Sequence, residues 1–289
     1  MKKKGTFWIF ISVSIISFSL VVLYPLISGI YLSFTDWNGI GDGAKLVGVS
    51  NYAEILNRKK DPEFLVSFLF TLKFAAVSIL TINLVGFSLA LLVTRGLKGT
   101  NILRTIFFMP NLIGGLILGF IWNFIFIEVF TAIGKSFNIH WLTGWLSDAN
   151  TGFFGLVILM TWQMSRYIML IYIAALQNIP EELIEAAQID GANAWQRVKN
   201  IVFPLVRPAF TVSLFLTISN AFKLFDQNLS LTAGGPGNST QMLAMNIYKT
   251  AFTYNKLGSA QAKAVIFFIL VASITLTQVY FSKKKEVEM

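Results

Sequence analysis

Glu185-Ala-Ala-Gln-Ile-Asp-Gly191, followed after nine residues by Ile201-Val-Phe-Pro204, decides how this chain is read. The stretch lies in a polar segment between two apolar runs, so a chain otherwise suited to a bilayer presents a helix to water. Just upstream, Asn178 offers a helix cap and Pro180 sits where its missing N–H costs nothing. Glu181 and Glu182 bring negative charge to the positive end of the helix dipole. The predicted helix runs through Leu183, Ile184, Ala186, Ala187 and Ile189 to Asp190-Gly191, where glycine permits a sharp turn that a Cβ resists. A second helix carries Trp195 and Val198, until Pro204 and Pro208 mark the start of the next apolar run. Small Ala186 and Ala187 admit another surface closely, and Glu185 offers it a charge-assisted contact. Local physics alone also allows an ordinary helical loop.

Composition places the rest of the chain in a membrane. Of its 289 residues, 55% are apolar and only 13% charged, with a mean hydropathy of +0.67. A soluble domain carries about 25% charged residues. The chain has no cysteine, which excludes disulfides, thiolate metal sites and cysteine nucleophiles. Although the pI is about 9.7, the basic residues cluster at the ends of apolar runs and form no stripe with interleaved aromatics, which argues against nucleic acid.

Six apolar runs, near 7–34, 64–93, 105–127, 153–176, 205–227 and 259–281, are each long enough to cross a hydrocarbon core of about 30 Å. The first exceeds a signal-peptide core and lacks a small-x-small cleavage site, so it is expected to be retained. Lys2 to Lys4, then Arg95, Lys98 and Arg104, then Arg197, Lys199 and Arg207, and finally Lys283 to Lys285 fall on one side of this pattern. The opposite loops hold fewer bases over longer segments, although Arg58 to Lys60 run against the trend. The positive-inside rule therefore puts both termini and the Glu185 segment in the cytoplasm. On the other side, Trp37-Asn38-Gly39 and Gly41-Asp42-Gly43 are turn chemistry, and Asn51 to Leu56 reads as a short helix before Asp61-Pro62. Trp141 and Trp145 suit an interfacial belt, and the lone His140 among them is expected to be a surface or interface residue, not a metal ligand. Gly234-Gly-Pro-Gly237 is a loop, and no phosphate-binding Gly-x-x-x-x-Gly-Lys-Ser/Thr pattern occurs.

The order E-A-A, three residues, G, nine residues, I-x-L-P resembles the signature of permease subunits of ABC importers, with Phe203 in place of the Leu. The resemblance extends over most of the chain and points to the maltose-type sugar permeases of the carbohydrate uptake transporter-1 group. Leu23-Tyr-Pro25 through Ser33-Phe-Thr35-Asp-Trp37, Asn51-Tyr52, Asp61-Pro62, Arg104 to Pro110, Trp162-Gln163, Ala175 to Pro180 and Leu231 to Pro236 follow that family's order. Membership would imply an all-α membrane protein of six transmembrane helices with both termini cytoplasmic, a single permease domain over 1–289, and a coupling loop near 177–204 between the fourth and fifth helices. It would also imply a second homologous permease subunit, a dimeric ATPase that holds ATP and Mg, an extracytoplasmic sugar-binding protein, and a bacterial or archaeal cytoplasmic membrane whose lipids surround the helices. Pro180, Glu185, Ala186, Ala187, Gly191, Ile201 and Pro204 would then contact or shape the contact with the ATPase. This chain itself would hold no catalytic residue, cofactor or metal.

Polar residues inside apolar runs are costly and usually face a protein interior or a wet cavity. Gln163, Arg166 and Tyr167 share a helix face, and Asn220, Lys223 and Gln227 share another, with Asp226 near Lys223. These seven residues are candidates for a transport path. In the resembled family's larger maltose permease subunit the sugar lies against the fourth and fifth helices, and Tyr167 matches an aromatic position there. Arg166 and Lys223 depart from that family's commoner neutral residues. They could bond sugar hydroxyls or an acidic group of the substrate, or serve only structural pairs such as Lys223 with Asp226. Lys73 and Lys263 are expected to snorkel from outer helix ends. A secondary transporter would share the intramembrane charges but has no use for a docking helix. A membrane enzyme would need convergent catalytic groups, and none is visible.

Overall fold

Hydrophobic length sets the architecture. The computed structural model describes residues 2–41, 43–94 and 114–284, and among these the chain is helical apart from one isolated bridge between Thr35 and Leu46. Asp42, Arg95, Lys98, Lys285 and the stretch from Arg104 to Pro110 lie outside the described residues.

Helix α1, Lys2–Phe18, continues through a π-helical turn at Ser19–Leu23 into α2, Tyr24–Leu32. A short α3, Ser50–Leu56, precedes the long α4, Pro62–Val93. Helix α5, Gly115–Phe124, runs through another π turn at Ile125–Val129 into α6, Phe130–Ser136, and α7 spans Ala149–Leu176. The polar segment forms α8, Glu181–Ile189, and α9, Ala194–Arg197, then a π turn at Val198–Val202 and the single turn α10, Phe203–Leu205. Helix α11, Arg207–Phe222, is followed by the short α12, Asp226–Leu231, by α13, Leu243–Tyr248, with a π turn at Lys249–Thr253, and by α14, Leu257–Lys283.

Five helical stretches among the described residues are long and apolar enough to cross a membrane, and a sixth arises if the bent pair Ala194–Leu205 and Arg207–Phe222 counts as one. Two boundaries differ from the sequence expectation. The third apolar stretch continues to Ser136 because exposed Glu128 does not interrupt the helix. The fifth does not run unbroken to residue 227: the chain bends by 72° near Val206 and leaves helical geometry again at Lys223, φ −86° and ψ 6°.

The chain divides into two units, residues 1–65 with 246–269 and residues 66–245 with 270–289. In the first unit, Asn51 Nδ2 donates to the carbonyls of Ser33 and Thr35 at 2.8 Å, and Ser33 Oγ lies 2.6 Å from Tyr52 Oη. These bonds satisfy the end of α2 from α3. Gly258 approaches the backbone of Thr35 so closely that a Cβ would collide with it, which lets α14 start against the strand-like segment. Lys263 corrects the snorkelling expectation. It is 3% exposed and bonds Asp61 Oδ2 at 2.7 Å, with Asn246 Oδ1 and Thr250 Oγ1 each at 2.9 Å. Three oxygen partners from distant parts of the sequence make burial of its charge tolerable, so the ammonium has no need to reach water. Lys73 does stay exposed, lying over the Phe153 ring at 4.5 Å in the second unit.

The second unit is centred on α7, which buries Phe153, Leu156, Leu159, Met160, Ile168 and Tyr172. Asp148 starts this helix by accepting the N–H groups of Asn150 and Thr151, and Thr151 closes a capping box. The Gly234–Gly237 loop lies in a segment tied by hydrogen bonds within itself and to flanking helices. Asn228 Nδ2 donates to Thr240 O at 2.8 Å, Thr240 Oγ1 donates to Gly235 O at 2.6 Å, and Ser67 Oγ donates to Gln241 Oε1 at 3.2 Å. Its backbone therefore needs little water.

Candidate coupling segment and transport path

Helix α8 begins at Pro180, whose φ of −57° and ψ of 130° put it at the N-cap position. This moves the start two residues beyond Asn178, because proline already lacks the N–H that a cap would satisfy. Glu181 and Glu182 occupy the first turn, as their charge favours. At the other end Gly191 takes φ +80°, while its N–H and that of Ala192 return to the carbonyls of Gln188 and Ala187. This left-handed closure is the conformation for which glycine carries the smallest penalty. Asn193 and Gln196 then form a capping box for α9, and Arg197 folds back to donate to Ala192 O at 2.8 Å. The turn is consequently fixed from both sides.

None of the α8 residues is buried. Glu185 and Ala186 are exposed, Ala187 is half-buried, and nothing lies within 4 Å of a Cβ built on Gly191. Ile201 and Pro204 are half-buried in the return toward α11. Around the turn the segment also exposes Ile189 at 87% and Trp195 at 72%. The capped helix pair therefore leaves two large apolar side chains in the open. Sequence reasoning placed both residues on helices without recognising this face, since periodicity does not tell which side of a short helix is open.

The path candidates separate into two sets. Gln163 of α7 and Gln227 of α12 meet, with Gln227 Nε2 donating to Gln163 Oε1 at 2.8 Å. Arg166 is buried, bonds Trp162 O through Nε at 2.9 Å and lies over the Trp162 ring at 4.0 Å, whereas Tyr167 on the same helix is 45% exposed. Asn220 is exposed at the end of α11 and bonds Leu216 O, and Lys223 and Asp226 are exposed across the break that follows. Asn220, Lys223 and Gln227 therefore do not share one helix face. No ion pair joins Lys223 to Asp226; ion pairs elsewhere include Lys60 with Glu54 and Lys263 with Asp61.

A contact that sequence reading missed holds α12 in place. Gly115 and Gly119 of α5 lie against Asp226, Gln227 and Ser230, and a Cβ on Gly119 would overlap Ser230 Oγ. Asn123 Nδ2 adds a bond to Leu231 O at 2.7 Å. The spacing of Gly115 and Gly119 was the available signal. Among the described residues no group of His, Cys, Asp and Glu could hold a metal ion.

Membrane-length helices joined to an exposed, capped polar helix pair define a multi-pass membrane protein. Residues 82–287 match the family of binding-protein-dependent transport system inner membrane components, and the chain belongs to that family. It is 57% identical, over the whole of both chains, to a probable starch degradation products transport system permease protein, AmyD, of Thermoanaerobacterium thermosulfurigenes. It is also 31% identical to the multiple sugar-binding transport system permease protein MsmF of Streptococcus mutans, over 97% of this chain and 96% of the relative. Its fold is similar to that of a chain from a bacterial ABC transporter involved in import of the acidic polysaccharide alginate, with a TM-score of 0.84, 19% identity, and coverage of 98% of this chain and 96% of the other.

Proposed function

We propose that this chain is the membrane-spanning subunit of an ATP-driven importer that takes up a neutral oligosaccharide of the kind released from starch, delivered by an extracytoplasmic binding protein. The full-length 57% identity to a permease named for starch degradation products carries the substrate reading. Six crossings, counting the bent α9–α11 stretch as one, would put both termini and α8 in the cytoplasm of a bacterial or archaeal cell. There Glu185, Ala186, Ala187 and Gly191 seat the α8 turn in a dimeric ATPase that holds ATP and Mg, with Pro180, Ile201 and Pro204 setting its frame. A second homologous permease completes the pathway, and residues 1–289 act as one permease domain.

Transport proceeds by alternating access. ATP and the loaded binding protein each favour the outward-open arrangement, since a ligand with equal affinity for both states shifts nothing. Within the membrane, Gln163 and Gln227 join two helices with amide groups that can exchange their mutual bond for sugar hydroxyls. Tyr167, Asn220, Lys223, Asp226 and Arg166 line or flank the same route. An acidic sugar is the second reading, supported by exposed Lys223, which makes no ion pair with Asp226.

Reconstitution with the ATPase, second permease and binding protein in proteoliposomes tests the proposal. ATP-dependent accumulation of radiolabelled maltotriose, competed by longer malto-oligosaccharides but not by a uronic-acid oligomer, is expected. Uptake that persists without the ATPase would overturn the ATP-driven reading, and preferential competition by the acidic oligomer would favour the second.

A further inference from the structure

Within the second unit three polar side chains meet between helices that are otherwise apolar. Tyr172 Oη of α7 and Ser213 Oγ of α11 each lie 2.8 Å from Asn83 Oδ1 of α4 and 2.7 Å from one another. Asn83 Nδ2 donates to Ile79 O at 2.8 Å and Thr217 Oγ1 at 3.2 Å. Tyr172, Ser213 and Thr217 are fully buried and Asn83 is 5% exposed. A hydroxyl or amide in apolar surroundings finds no replacement partner, so sliding any one of these helices would leave a polar group unsatisfied.

An aromatic cluster leads from this network to the docking segment. Phe203 of α10 packs edge-on to Phe87 at 6.5 Å and against Phe210 at 5.8 Å. Phe87 meets Tyr172 edge-on at 5.2 Å, and Phe210 stacks on Tyr172 at 6.3 Å. Phe203 is also where the segment departs from the leucine of the importer signature. Its larger ring reaches both helices beside a cavity of about 410 Å3 that Asn83, Phe87 and Tyr172 also line.

We propose that Asn83, Tyr172 and Ser213, reached from the coupling segment through Phe203, form the joint that makes α4, α7 and α11 follow α8 as one piece, with Tyr172 as its positioning residue. The aromatic contacts transmit push but permit slip; the hydrogen bonds fix register. This inference rests on the docking reading of α8. The two can fail separately: a cysteine at Glu185 that does not cross-link to the ATPase would count against docking alone.

The test uses Tyr172→Phe, which keeps the ring and removes the hydroxyl, and the milder Ser213→Ala. In the reconstituted importer, spin labels go on cysteines at Glu182 and at Leu92, near the inner end of α4; the chain has no native cysteine to interfere. The parent should give one narrow distance that ATP leaves unchanged. Tyr172→Phe should assemble, broaden or shift that distance when ATP is trapped, and raise ATP hydrolysed per maltotriose imported several-fold. Ser213→Ala should do the same more weakly. Unchanged distances and an unchanged ATP-to-sugar ratio in both variants would reduce the network to packing and overturn the proposal. Failure of both variants to assemble would make it a folding element and overturn it equally.

Discussion

At Gly191 the backbone requirement is carried by one residue. A φ of +80° with open space around the missing Cβ means that a substitution there is penalised by conformation, not by collision. Gly191→Val should cost the turn about 1–3 kcal/mol and misdirect Glu185, Ile189 and Trp195 while the chain still inserts. Its signature would be ATP hydrolysis that no longer depends on sugar; parent-like coupling would show that the turn is not a motor contact. Lys223 presents the opposite case, an exposed charge with no ion pair to Asp226. Lys223→Met should therefore leave complex yield intact and, if the ammonium bonds substrate, remove about 1.5–3 kcal/mol, a loss of roughly tenfold to a hundredfold in uptake. If yield falls instead, and Lys223→Met with Asp226→Leu restores yield and uptake together, the two residues are structural. The glycine was legible because its requirement sits in its own φ and in its neighbours along the chain. Lys263 was not, because Asp61, Asn246 and Thr250, which change a snorkelling lysine into a buried one, are brought to it only by tertiary packing.

Among elements, α7 shows how a helix end can depend on pH. The Asp148 carboxyl is held below its usual range, first by the Thr151 backbone N–H, then by the Thr151 hydroxyl and the Asn150 N–H. Its folded-state pKa is thus lower than its unfolded one, so the cap stabilises fully above the unfolded value and is lost as pH falls through the folded value. Asp148→Asn should remove this contribution to acid sensitivity. Thermal midpoints of the purified protein, followed from neutral pH down past the carboxylate range, should converge for parent and variant; parallel curves would rule the cap out. The α5–α12 contact depends on the absence of a side chain. Gly119→Ala must displace Ser230 and should destabilise by about 1–3 kcal/mol, loosening the Gln163–Gln227 bond; an unshifted midpoint would contradict this. The long helices were readable from hydropathy alone, although a single Glu128 ended the third run early. The break at Lys223–Phe225 was not, since neither proline nor glycine marks it and the polar residues around it, Lys223, Asp226 and Gln227, are equally compatible with a continuing helix.

For the whole molecule, orientation is the property that binds the other readings together. The chain has no cysteine, so single cysteines can report it directly: one at Arg197 should react with an impermeant reagent only from the cytoplasm, and one at Gly237 only from outside. External labelling at 197 in intact cells would remove both the orientation and the ATPase contact. The pair of buried Lys263 with half-buried Asp61 carries a different implication, for the order of synthesis. Asp61 emerges early, while Asn246, Thr250 and Lys263 arrive only with the last fifth of the chain. Until then the first unit, made of residues 1–65 and 246–269, lacks its later segment. A chain that stops short of α14 therefore lacks both the lysine that meets the Asp61 carboxylate and the helix that carries it.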